Sequence, residues 1–118
     1  MDERLKKALE FSHYRQTLNN QIEIERTKIK NLLTVAHNGG FFYVDYSLIS
    51  FVDMQVRLKR KSMVLLDKNL TPIKIEDSNE FLNLINTRFH EATNAYHAEY
   101  TRLSKSRNVK TLLGSIDE

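Results

Sequence analysis

Cysteine and tryptophan are absent from the 118 residues, proline occurs once and glycine three times. Without cysteine there can be no disulfide, thiolate nucleophile or sulfur-bound zinc, and the composition fits a reducing compartment. So few helix breakers favour long helices over a many-stranded β fold. No apolar run approaches the roughly 18 residues needed for a membrane span. The start Met1-Asp2-Glu3 is unlike a basic and then apolar export signal. These absences lead us to expect a mainly helical protein of a cytosol with no membrane partner.

The chain is 41% hydrophobic and 28% charged, which is ordinary for a folded protein and argues against disorder over most of its length. A chain this short has room for one domain, which would bury about two thirds of its unfolded surface. The net charge of +3 is small, so any case for an acidic partner rests on where the charges cluster.

Residues 77–107 carry the most consistent local signals. Asp77 can cap the first turn of a helix, with Glu80 at the reciprocal capping-box position. Leu82, Ile85, Phe89, Ala92, Tyr96, Tyr100 and Leu103 then recur at spacings of three and four, which makes one apolar stripe. A helix over 78–106 would be about 45 Å long, more than a compact globule of this size needs.

Residues 2–36 read as a first long helix, with Asp2 and Glu3 four positions ahead of Lys6 and Lys7. Phe11, Leu18, Ile22, Ile29, Leu32 and Ala36 resemble a heptad seam, but Arg15 and Glu25 occupy two of its positions. The expectation is therefore an amphipathic helix packed on a partner. Asn38-Gly39-Gly40 is expected to end it through a left-handed cap. Phe41-Phe42-Tyr43-Val44 suits a strand, and Asp45 can cap a shorter helix reaching about residue 59. Residues 63–66 and 72–76 read as a β-hairpin, with Pro72 marking an edge strand. The β part is then this hairpin alone or, together with 41–44, a small three-stranded sheet, beside two long amphipathic helices and one shorter helix. The fold class is thus α+β, mainly α. The expectation is a single α-rich domain over 1–107, with 108–118 a flexible or partner-ordered tail.

Arg57, Lys59, Arg60 and Lys61 form one acid-free basic run, and Arg102, Lys105, Arg107 and Lys110 form another. Both suit phosphate or an acidic partner. Each also suits a solvated helix end, where the dipole favours cations, and neither has the interleaved aromatics that would stack bases. His90, Asn94 and His97 share a helix side but lack a second ligating element, so no metal site is expected. Tyr14, Tyr96 and Tyr100 fit apolar packing with wet hydroxyls better than acid catalysis. The glycine turn at 38–40 lacks the Lys and Ser/Thr of a phosphate loop. No Ser-His-Asp arrangement is identifiable, and the expectation is no enzyme and no cofactor.

The segments Asn38-Gly39-Gly40-Phe41, Leu66-Asp67-Lys68-Asn69, Pro72-Ile73-Lys74-Ile75-Glu76-Asp77, Ala92-Thr93-Asn94-Ala95-Tyr96 and Leu103-Ser104-Lys105-Ser106-Arg107, with Phe81 between them, resemble small proteins of T-even-like contractile-tailed bacteriophages. The resemblance runs over nearly the whole chain. It implies a structural protein of head assembly, in the prohead core or associated with the scaffold, made in a bacterial host cytoplasm among other phage proteins. It carries over no active-site residue. The expected function is structural and non-enzymatic, with homo-oligomer or phage-protein contacts through Phe11, Leu18 and Ile22 against Leu82, Ile85, Phe89 and Tyr96. The alternatives are nucleic-acid binding or transcription modulation through the two basic runs, and an adaptor that blocks a host enzyme.

Overall fold

The computed structural model describes residues 2–116, with side chains through Lys105. Its elements are α1 (Glu3–Leu32), β1 (Thr34–His37), β2 (Gly40–Tyr43), α2 (Tyr46–Arg57), β3 (Met63–Leu66), β4 (Pro72–Ile75) and α3 (Ser78–Ile116). The mainly helical class with a small β part is as expected. The β part is not one sheet: β1 pairs only with β2 and β3 only with β4, each pair antiparallel.

The first helix ends at Leu32, short of the expected 36, and Thr34–His37 is a strand. The reason lies in Asn38 and Gly39, whose φ angles of 50° and 84° are both positive. Two consecutive left-handed residues make the tight hairpin turn that matches strand twist, and they bring His37 opposite Gly40. The turn therefore closes a hairpin, where a helix cap was expected. β-branched Thr34 and Val35 are then better placed in the partner strand than in a helix.

Asp45 caps α2 as expected, its Oδ1 accepting the Leu48 amide at 2.8 Å. The other end of α2 closes without glycine. Lys59, at φ 60°, donates its amide to the Val56 carbonyl, and the Arg60 amide reaches Gln55. Asp77 likewise caps α3, its Oδ1 accepting the Glu80 amide at 3.1 Å. α3 runs past the expected end at 106 to Ile116. The spacing of Val109, Leu112, Leu113 and Ile116 by three and four fits that continuation. Side chains beyond Lys105, including those of Arg107 and Lys110, lie outside the described residues.

The chain divides into two compact units. The hairpin unit, residues 29–94, holds the hydrophobic core. Val35, Phe42, Met63, Leu65, Ile73 and Ile75 point inward from the strands, Val52 from α2, and Phe81, Leu82, Ile85 and Ala92 from α3. The Phe81 ring meets Phe42 edge-on at 5.3 Å and His37 at 5.0 Å. The Arg88 guanidinium donates to the Leu32 carbonyl at the end of α1. The helical unit takes the described residues up to Lys28 and those from Ala95 onward. Among its described side chains, only Leu18 and Leu103 are buried hydrophobics. Tyr96 and Glu23 both hydrogen-bond the Arg26 guanidinium, raising its pKa. Half-buried Glu25 pairs with Lys28 at 3.2 Å.

Candidate protein-interaction surface

The two hairpins are joined side by side through backbone and through one carboxylate. The Phe41 amide donates to Asp67 Oδ2 at 3.0 Å, and the Lys68 amide donates to the Phe41 carbonyl at 2.7 Å. Asp67 Oδ1 accepts the amides of Asn69 and Thr71, both at 2.9 Å. These backbone donors, with Phe41 foremost, hold the Asp67 carboxyl below the usual carboxylate range. Asn38 Nδ2 adds a bond to the Lys74 carbonyl at 2.9 Å. At this junction a Cβ on Gly40 would lie 2.6 Å from Ile73 Cγ1 and 3.2 Å from Asp67 Cβ. Glycine is thus required at 40 by close approach.

That contact also sets the orientation of the strands. Gly40 faces Ile73 and Asp67 on the inner side, so by the two-residue alternation of a strand Phe41 faces outward, as Leu66 does beside Asp67. The outward positions of the hairpins carry Phe41, Tyr43, Val64 and Leu66, exposed by 50%, 41%, 60% and 61%, and Leu70 is 75% exposed at the turn. Phe51 and Met54 on α2, with Leu58 just past its end, add an exposed apolar stripe at helical spacing. Large apolar side chains grouped on a surface mark contact sites, whereas scattered ones do not.

The residues expected to carry contacts fall into two groups. Leu82 and Ile85 are core residues of the hairpin unit, and Phe89 packs partly against that core while meeting Tyr46 edge-on at 5.1 Å. Phe11, Leu18, Ile22 and Tyr96 belong to the helical unit, where Leu18 is buried, Ile22 and Tyr96 are half-buried and Phe11 is exposed. The outward residues of β2, β3 and α2 were not among the expected contacts. Their signal lay in the unbroken apolar runs Phe41-Phe42-Tyr43-Val44 and Met63-Val64-Leu65-Leu66, a pattern of strands apolar on both faces.

The basic runs are partly engaged locally. Arg57 pairs with Asp53 at 3.0 Å, Arg60 donates to Gln55 Oε1 at 2.6 Å, and Arg102 pairs with Glu99 at 2.9 Å. Lys59, Lys61 and Lys105 are exposed. His90 bonds Asn94 within α3, and no group of three or more His, Cys, Asp or Glu side chains is placed to hold a metal among the described residues. Among them, too, no helix is long and apolar enough to cross a membrane.

No known protein-family model matches the chain, and neither the curated proteins nor the solved structures yield a significant match.

Proposed function

We propose that this chain is a non-enzymatic assembly protein that works by apolar protein contacts made through its hairpin unit. The observation that carries this reading is the exposure of Phe41, Tyr43, Val64 and Leu66 at the outward strand positions, on the face away from the buried core. Leaving that area in water forgoes about 25 cal/mol for each Å² of it, which a protein partner would recover. The resemblance of the sequence to small proteins of T-even-like phages is the support for placing this assembly in head morphogenesis, in the prohead core or with the scaffold, within a bacterial host cytoplasm. The nucleic-acid reading comes second, because neither basic run has the interleaved aromatics that would stack bases.

Light scattering during size-exclusion chromatography, at low and high salt and with absorbance tracking nucleic acid, tests the proposal. A discrete oligomer or growing assembly that is free of nucleic acid and persists at high salt is expected, since apolar contacts are not screened. A monomer at both salts would overturn it. So would a monomer that carries nucleic acid at low salt and sheds it at high salt, which would put the basic runs first.

A further inference from the structure

The outward hairpin face has a composition that narrows its occupant. Its strand positions are Thr34, Ala36, Phe41, Tyr43, Val64, Leu66, Pro72 and Lys74, and Lys74 is the one charged side chain among these described positions. Its ammonium is turned onto Ser62 Oγ at 3.3 Å. Such a face presents almost nothing to a polyanion or an acidic peptide, and a charged partner would lose hydration there without gaining a counter-charge. It suits a neutral apolar surface, and the same face on another copy is one.

We propose that a second copy of this chain docks on this face, pairing the two hairpin units about a two-fold axis. This rests on the assembly reading above and names its partner. In an isologous contact each patch meets itself, so an apolar patch whose strand positions carry a single cation, Lys74, with Lys68 at the adjoining turn, faces little like-charge repulsion at its centre. The strand register supplies relief, since Ala36 lies opposite Phe41 and Thr34 opposite Tyr43, each setting a small outward side chain beside an aromatic one. Four large apolar side chains at these exposures, with Pro72 and the Lys74 stem, offer on the order of 500 Å². Two apposed copies would bury about 1,000 Å², the area at which a specific interface becomes sustainable.

The test uses the full chain across a concentration series by light scattering, with far-UV circular dichroism and thermal melting as controls for folding. The wild type is expected at about twice its 13.9 kDa chain mass. Phe41→Asp with Leu66→Asp should return it to one chain mass with the helical spectrum unchanged. Tyr43→Glu with Val64→Glu makes the same test should the first pair fail to fold. Phe51→Asp with Met54→Asp, on α2, should leave the dimer intact. A wild-type oligomer that survives both hairpin variants but is lost on changing Phe51 and Met54 of α2, within the same unit, would overturn this inference and leave the assembly reading standing, whereas one lost only on changing Leu5 with Phe11 would overturn both. A wild type that is monomeric at every concentration would overturn both.

Discussion

Asp67 shows how one side chain can hold two hairpins together. Its carboxylate accepts three backbone amides, from Phe41, Asn69 and Thr71, and so joins the turn of the second hairpin to a strand of the first. In Asp67→Asn the new amide group must either face the Phe41 N–H or turn toward Asn69 and Thr71, setting donor against donor in both cases. A melting temperature lower by several degrees is expected. Because folding lowers the Asp67 pKa, its contribution is present in full above about pH 4 and is lost as pH falls through the folded-state value. Melting curves from pH 7 downward should therefore show a weaker acid sensitivity in Asp67→Asn than in the wild type. Equal slopes would mean that this carboxylate is not linked to folding.

At the scale of elements, two adjacent glycines separate conformational from steric need. Gly39 sits at φ 84°, and a Cβ there would meet nothing within 4 Å, so Gly39→Ala should cost only the left-handed backbone penalty of about 1 kcal/mol. At Gly40 a methyl would drive into Ile73 and Asp67, and Gly40→Ala should cost about 1–3 kcal/mol through overpacking. Urea titration of both variants ranks them, and a larger loss at 39 would contradict the close-approach account. The helix starts at Asp45 and Asp77 were readable from sequence because a cap acts on amides two or three residues away. The first hairpin was not readable in the same way. Asn-Gly before an aromatic run serves equally as a helix stop and as a hairpin turn, and the choice depends on Val35 and Phe42 being buried against Phe81 and its neighbours, far along the chain.

For the whole molecule, burial is unevenly shared. The described hydrophobic core lies entirely within residues 29–94, whereas the helical unit contributes Leu18 and Leu103 as its buried hydrophobics among the described residues. Ile85 is fully buried, and Ile85→Ala should destabilise the hairpin unit by about 2–5 kcal/mol. Amide exchange should be slowest at Val35, Phe42, Leu65 and Ile75 and fastest along the first turns of α1, where Leu5 and Leu9 are exposed. Uniform protection across both units, or greater protection in α1, would refute this division. The stripe Leu82, Ile85 and Phe89 was legible as apolar and helical, and its neighbours were not: periodicity tells which face is buried and says nothing of what covers it.

What the sequence determined by itself was local. The long helices, their acidic caps, the hairpin at 63–75 and the mainly helical class follow from spacing, propensity and the near absence of Gly and Pro, all of which act within a few residues. Tertiary structure decided that 34–37 is a strand, that the strands form two pairs, that a side chain at Gly40 would crowd Ile73 and Asp67, and that Phe41 and Leu66 face outward while Phe42 and Leu65 face in. Each of these depends on contacts between residues distant in the chain, such as Phe41 with Asp67 and Gly40 with Ile73, which no local pattern encodes.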